Sequence, residues 1–484
     1  MSLNGILQEK FPHLELSVLK LSEVKRDNAT KRIDSEYFKK EYLENEEKTQ
    51  TYLPLGKFCL IRSGITPKDR DENLKDGVIL LKTTNIRNSI LSNTDDYFYI
   101  DKNTNIKMKN TQLKEGDVLI NIVGATTEVI GRVALIPKQF NNANITQAMA
   151  FCRVINKIVS NSYLFIVLQT KNSLLQIKRV ARPTGQFNLN LEEVKQIKIP
   201  LLPMPFQLEI EKLVKDSHLA LEQSKALYKE AEDLLYTELG LNPQNPLQSI
   251  LQSHSNDINF RIATLKESFL KIGRLDSEYY QVKYEEIEKR IKTYTNGYCK
   301  LKDIVVSFSG GFAFSSNEYL ENGDLALIRI NNIKNANLDM NNAVYLNDEA
   351  ISLSPKDKVK KGDVLISMSG SIGLSCVVRE NLQAMVNQRI LKISIDNFNA
   401  DVLVLLLNSV LCKLQFERIG TGGVQTNLAT SDILNILIPK INPNTQDSIA
   451  SHIQQSFTLR AEAKALLNEA KAKVESAIIG GGGK

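Results

Sequence analysis

Hydrophobic periodicity is clearest in two stretches of this chain, residues 204–240 and 443–479. In the first, apolar or small residues recur every seven positions at Ile210, Ser217, Ser224 and Ala231, with Leu213, Val214, Ala220, Leu221, Leu227, Tyr228, Leu234 and Leu235 between them. In the second, Ile449, Ser456, Ala463, Ala470 and Ala477 hold the seventh positions, interleaved with Ile453, Leu459, Leu466, Leu467 and Val474. A sustained seven-residue repeat marks a long helix with a packing seam. The registers superpose at an offset of 449 − 210 = 239, and Lys225-Ala226-Leu227 falls on Lys464-Ala465-Leu466. Small residues along one seam position allow close approach, so the two helices are expected to pack on each other as an antiparallel coiled coil.

Ahead of each helix the pattern changes to short apolar runs of strand length. Val78-Ile79-Leu80-Leu81 and Leu325-Ala326-Leu327-Ile328-Arg329-Ile330 lead into Thr84-Asn85-Ile86 and Asn331-Asn332-Ile333. Gly116-Asp117-Val118-Leu119-Ile120 returns as Gly362-Asp363-Val364-Leu365-Ile366, and these strands end in the loops Gly124-Ala125-Thr126-Thr127 and Ser369-Gly370-Ser371-Ile372-Gly373. Late polar loops follow, Arg182 to Leu189 against Gly420 to Leu428, and then Ile199-Pro200 and Ile438-Pro439. Upstream, Arg32-Ile33-Asp34-Ser35-Glu36-Tyr37 returns as Arg274-Leu275-Asp276-Ser277-Glu278-Tyr279, 274 − 32 = 242 residues later.

A period near half the chain length means two copies of one large unit. Such a molecule is a fused dimer with an approximate two-fold axis, and its ligand should come in two halves. The expected fold is a mixed α/β (α+β) tandem duplication. Residues 1–49 form an N-terminal helical extension, 50–200 a first globular domain and 204–240 the first long helix. Residues 241–296 form a linker that repeats the extension, 297–440 a second domain and 443–479 the second helix. Asn242-Pro243 and Asn245-Pro246 mark the hinge between copies. Residues 87–112 and 334–358 share little beyond length and polarity, as expected if two related readers face two different targets.

Composition narrows the function classes. At 42% hydrophobic and 24% charged residues the chain reads as an ordinary globular protein. Val402–Leu407 is the longest aliphatic run and is too short for a bilayer, and Met1-Ser2-Leu3-Asn4 lacks the plan of a signal peptide, so a cytoplasmic location with no membrane partner is expected. Five scattered cysteines and four histidines (His13, His218, His254, His452) have no metal-ligand or triad spacing, and a net charge of +6 permits nucleic-acid binding without demanding it. A methyltransferase that grips a flipped adenine needs a Pro-Pro-aromatic loop; only Pro203-Met204-Pro205 is present. There is no phosphate cradle of the GxxxxGK[ST] type, and Gly370 to Gly373 reads as a tight turn. Glu462-Ala463-Lys464 and Glu469-Ala470-Lys471 read as helix surface charge, and Gly480 to Lys484 as a flexible tail.

Taken in order and repeated twice, these elements resemble a specificity subunit of a Type I restriction-modification system. The resemblance rests on the Gly-Asp-Val-Leu-Ile strands, the Ser-Gly-Ser-Ile-Gly loop, the Thr-Gly-Gly-x-x-Thr-Asn-Leu loop, the downstream Ile-Pro and the long helices, and it covers nearly the whole chain. It implies two target-recognition domains that each read one half of an interrupted double-stranded DNA site. The paired helices would hold the domains apart and dock two adenine-N6 DNA methyltransferase subunits and restriction/translocase subunits. The chain itself would carry no catalysis and no cofactor, with S-adenosylmethionine and ATP with Mg on the partners. The extension bearing Arg-Ile-Asp-Ser-Glu-Tyr is longer than compact members need, which keeps a Type IIB-like specificity chain as an alternative. A coiled-coil adaptor without DNA readout and a nuclease or methyltransferase with hidden active-site residues are the others.

Sequence readout requires Arg, Lys, Asn and Gln on exposed loops. The late loops offer Arg182 and Gln186 in the first copy and Gln425 in the second, whereas Asn188 and Asn427 match across copies and are expected to fix the turn. Phosphate contacts are expected from Arg87, Lys107, Lys109, Lys178 and Arg179, and from Lys334, Lys356, Lys358, Lys360 and Arg418. Arg329 and Arg389 sit in or beside predicted strands, where a structural role is expected.

Overall fold

Both central strands are buried on their two faces, and this sets the layering of each half of the protein. The computed structural model describes residues 3–25, 28, 31–68, 70–74, 76–92, 97–183, 185–251, 262, 264–341, 343–421 and 426–480. Two compact units divide the chain, residues 1–222 with 459–484 and residues 223–458.

In the first unit a five-stranded sheet runs in the order Cys59–Ser63, Met149–Val154, Val118–Asn121, Val133–Leu135, Ser89–Ile90. Its pairs are antiparallel except the last, which is parallel. Alternate residues of a strand point to opposite faces. Val118 and Ile120 accordingly enter a core with Tyr163–Leu168, Ile210, Val214, Ala470 and Val474, while Leu119 enters a second core with Leu81, Ile86, Phe140 and Phe151. The helices Asn161–Val167 and Lys171–Val180 therefore share one core with portions of both long helices. A sheet of Phe98–Ile100, Val78–Leu81 and Asn144–Ile145 and a small sheet of Arg182–Pro183, Phe187–Asn188 and Val123–Gly124 complete the domain.

The second unit repeats this plan. Val305–Ser309, Ile390–Ile395, Val364–Ser367 and Ser375–Val377 form a four-stranded antiparallel sheet. Val364 and Ile366 join a core with Val402–Leu407, Ala231, Leu235 and Ile449, and Leu365 joins another with Ile328, Cys376 and Val386. The fold is thus a mixed α/β duplication, as its sequence implies. The tight turn expected at Gly370 to Gly373 is present, with φ of +72° and +77° at the two glycines, and a Cβ on Gly373 would lie 2.2 Å from the Phe416 ring.

The long helices run Met204–Glu238 and Pro443–Gly480. Within the first unit Ser217 Oγ donates to Ala463 O at 2.8 Å and Lys473 pairs with Glu209. Within the second, Ser224 meets Ser456, and His452 lies 3.5 Å from Glu230. Partner numbers fall as helix numbers rise, so the pairing is antiparallel in each unit. Of the expected seam residues, Ile210, Ser217, Ala463 and Ala470 are buried in the first unit and Ser224, Ala231, Ile449 and Ser456 in the second, while Ala477 is half-buried. Each helix is tied to its domain by one glutamine. Gln207 Oε1 accepts from Ser160 N at 2.9 Å and its amide donates to Leu202 O; Gln446, 446 − 207 = 239 residues on, does the same with Asn399 N at 3.0 Å and Ile441 O.

Pro246 opens the helix Pro246–Leu251 shortly after the first long helix ends; the Asn-Pro pairs expected to mark a hinge between copies lie inside the second compact unit, whose boundary falls at residue 223. Burial pushes the thiols of Cys59, Cys376 and Cys412 up to about 12, which keeps them protonated at neutral pH. Among the described residues no cluster of metal-ligating side chains occurs and no helix is long and apolar enough to cross a membrane. His254 and residues 481–484 lie outside the described residues.

Candidate nucleic-acid interface

Each unit gathers four loop segments around the far end of its central strand. In the first unit, Ile122 N and Val123 N both donate to Ala148 O, at 3.0 and 3.1 Å, and Leu189 N donates to Ile122 O at 2.9 Å. Gly64 N reaches Met149 O at 3.0 Å, and Gln147 N reaches Thr66 Oγ1 at 3.2 Å. Residues 64–66, 122–128, 146–148 and 182–189 thereby share one rim.

The second unit builds an equivalent rim, in which the two bonds made by the residue after the central strand are repeated and the glutamine N–H is held by a backbone carbonyl instead of a hydroxyl. Met368 N donates to Arg389 O at 2.9 Å, Leu428 N to Met368 O at 2.8 Å and Gln388 N to Phe312 O at 2.9 Å. Thr421 and Asn427 exchange two backbone hydrogen bonds. The frame is similar, but the side chains it presents differ: Ile65, whose N–H reaches Ile145 O at 3.1 Å, against Phe312, whose N–H reaches Val386 O at 3.2 Å, and Ala148 against Arg389.

The candidate residues distribute unevenly about these rims. Gln186 is exposed on the first, and its carbonyl accepts from Asn188 Nδ2 at 2.9 Å, so Asn188 fixes the turn. Asn427 plays a related part, accepting Arg389 Nη1 on Oδ1. Arg182 sits beside Gln186, with its guanidinium paired to Glu193 at the start of the helix Leu191–Gln196. Gln425 lies outside the described residues. Lys178 is exposed near Glu128, whose carboxylate hydrogen bonds from Thr127 and Thr126 hold below its ordinary value.

Arg87 and Lys334 are exposed at matching places, each two residues past a 3₁₀ turn, Thr83–Asn85 or Ile330–Asn332. The exposed Lys107, Lys109, Lys356 and Lys360 and the half-buried Lys358 belong to segments that lead into the start of the central strands. The rims lie at the strands' other ends, so these lysines stand apart from them along the strand direction.

Two expected phosphate contacts are instead engaged inside the protein. Arg179 Nη1 pairs with Glu46 at 2.9 Å, its Nε donates to Tyr37 O at 3.0 Å, and its guanidinium lies 4.4 Å from the Tyr37 ring centroid. Arg418 repeats this with Glu288 at 2.9 Å, Tyr279 O at 3.2 Å and the Tyr279 ring at 4.6 Å. Arg32 and Arg274 complete each latch, forking onto Asp34 and Asp276 and stacking on the same tyrosines at 5.1 and 4.8 Å. The Arg-x-Asp-Ser-Glu-Tyr repeat is therefore a clamp that fastens each extension to its own domain. Burial pushes the Tyr37 phenol up, as suits a packing residue.

Sequence reading missed Gln147 and Gln388, which occupy equivalent exposed corners of the two rims. The signal was slight: Thr146-Gln147-Ala148 and Asn387-Gln388-Arg389 share a single residue. Arg329 is structural, with its backbone N–H accepted by Asn332 Oδ1 at 2.9 Å and its guanidinium 5.9 Å from the Tyr319 ring. Arg389, expected to be structural, is exposed on the rim.

A repeated domain with a repeated polar rim matches one known class. The model of the Type I restriction modification DNA specificity domain matches residues 47–232 and again 295–472. The chain belongs to this family and is a DNA sequence-specificity subunit. The Type I restriction enzyme MjaVIII specificity subunit of Methanocaldococcus jannaschii is 23% identical over 421 residues, covering 85% of this chain and 87% of that protein. The EcoBI specificity subunit of Escherichia coli is 26% identical over 139 residues, 29% of this chain and 28% of that protein. Among solved structures, the Type I restriction-modification S subunit from M. genitalium has 11% identity and a TM-score of 0.40, covering 88% of this chain and 94% of its own. The HsdS subunit from Thermoanaerobacter tengcongensis has 14% identity and a TM-score of 0.26, covering 89% and 95%.

Proposed function

We propose that the chain reads an interrupted double-stranded DNA site, one half at each rim, and leaves the chemistry to partner subunits. The observation that carries this is a frame whose central bonds, from Ile122 and Leu189 in one unit and Met368 and Leu428 in the other, recur with different side chains at matching places. A repeated frame presents DNA in the same way twice, and the differing side chains distinguish two half-sites.

Gln186 belongs by position with the base edges, as does Arg182 beside it if DNA competes for its pair with Glu193; Gln425, outside the described residues, is assigned there from its sequence alone. Arg87, Lys107, Lys109 and Lys178 in one unit, and Lys334, Lys356, Lys358 and Lys360 in the other, supply phosphate contacts. Arg179 and Arg418 leave this set, because their guanidinium groups hold the extensions. The partners are two adenine-N6 methyltransferase subunits and restriction/translocase subunits in the cytoplasm, which bring S-adenosylmethionine and ATP with Mg. The relatives named as Type I specificity subunits support this assembly.

The test is methylome sequencing of cells that carry this chain with and without a cognate methyltransferase. Adenine methylation at a two-part motif only when both chains are present is the expected result. Methyl transfer by this chain alone would overturn the non-catalytic reading.

A further inference from the structure

We infer that Arg389 reads a guanine edge in the half-site served by residues 223–458; this rests on the reading above, that the rims face DNA. Arg389 stands at the corner between the strands Ala384–Val386 and Ile390–Ile395. Its backbone has φ of +70°, a conformation that residues with long side chains rarely adopt. The corner enforces that conformation, since Arg389 O accepts Met368 N at 2.9 Å while the neighbouring Gln388 N is held by Phe312 O.

The side chain is exposed, and Nη1 donates to Asn427 Oδ1 on the adjacent loop. Among the described residues that is the guanidinium's one hydrogen bond, and no carboxylate pairs with it. Arg182, Arg179 and Arg418 are all ion-paired, and so is Arg379, to Asp401. A guanidinium has five donors in a planar fork. One amide acceptor orients the plane here, and the remaining donors suit the paired acceptors O6 and N7 that guanine presents in the major groove.

Comparison with the other rim separates what is shared from what is specific. Ala148 holds the equivalent backbone place, its carbonyl accepting Ile122 N as Arg389 O accepts Met368 N. Gln147 and Gln388 beside them are identical and exposed, which fits a contact common to both halves of the site. At the next position one unit offers a methyl group and the other a guanidinium. Discrimination between half-sites belongs where the frame is the same and the side chain is not.

The experiment compares the wild-type chain with Arg389→Lys and Arg389→Ala, each produced with the cognate methyltransferase in a host lacking other adenine methylation, by methylome sequencing. Both variants are expected to keep the other half-site and the spacer. One G·C position of the affected half-site should become degenerate, with preference for guanine falling roughly ten- to a hundredfold. The lysine variant keeps the charge and loses the fork, so it decides the question even if the alanine variant folds poorly. Methylation that weakens evenly at an unchanged motif would make Arg389 a phosphate contact and overturn the proposal, as would an unchanged methylome. A wild-type chain that directs no two-part methylation would instead overturn the underlying reading of DNA recognition.

Discussion

The hydroxyls of Ser224 and Ser456 meet 3.0 Å apart in the seam between the two long helices, and Ser456 Oγ also reaches Ser224 O at 2.7 Å. Both residues are fully buried. Two polar groups in an apolar seam satisfy each other, and their small size lets the helix backbones approach closely.

Ser224→Leu should overpack this seam and destabilise the protein by about 1–3 kcal/mol. Replacing both serines by alanine removes both hydroxyls at once and should cost less than about 1 kcal/mol. Urea unfolding of the single and double variants checks the order.

Arg179→Ala should loosen the N-terminal extension, because it removes a stacked guanidinium and a partly buried ion pair, together about 1–2 kcal/mol. Arg418→Ala should do the same to residues 274–292 of the second unit. Limited proteolysis should cut the freed segment faster while methylation retains its target sequence. A changed target would restore these arginines to the DNA interface.

Acid should release the same clamps. Hydrogen bonds from Arg32 and Arg274 hold the carboxylates of Asp34 and Asp276 below their ordinary values. A group whose pKa is lowered on folding contributes stability above its unfolded pKa and loses it as pH falls through the folded value. Both are mostly solvent-exposed, so the contribution is small. Protection factors for amide exchange at 32–38 and 274–280, corrected for the intrinsic pH dependence of exchange, should fall below about pH 4 and stay flat from there to neutrality.

Asp117 is 1% exposed and accepts two hydrogen bonds from Arg153, at 2.8 and 2.7 Å. Its counterpart Asp363 has Ser394 Oγ at 2.7 Å and Lys392 Nζ only at 3.7 Å. Asp117→Ala should therefore cost about 3–5 kcal/mol by leaving a guanidinium unpaired, and Asp363→Ala less. Thermal denaturation of both variants tests this.

If the paired helices measure the spacer between half-sites, lengthening both should lengthen it. Ser217 faces Ala463 and Ser224 faces Ser456, so insertions must stand opposite each other, for example after Ala220 and Arg460. Seven residues in each add about 10 Å, close to three base pairs, with the half-sites unchanged. Methylation restricted to the original spacer would show that something else sets the distance.

The chain alone determined the features that depend on local order. Seven-residue spacing fixed the helices, and the apolar runs after Gly116 and Gly362 fixed the central strands, because burial on both faces leaves no polar position in Val118–Ile120 or Val364–Ile366. The duplication was equally plain, since repetition needs no tertiary contact to be seen. Tertiary structure decided which basic residues remain available. Arg179 and Tyr37 lie 142 residues apart in sequence, so nothing near Arg179 announces that a ring and Glu46 will hold it. Arg389 is the converse case, expected to be structural in or beside a strand and found exposed on a rim assembled from distant segments. The strands follow from side-chain patterning, but the rim follows from which backbone N–H groups are satisfied by which distant carbonyls, and only folding makes that pairing.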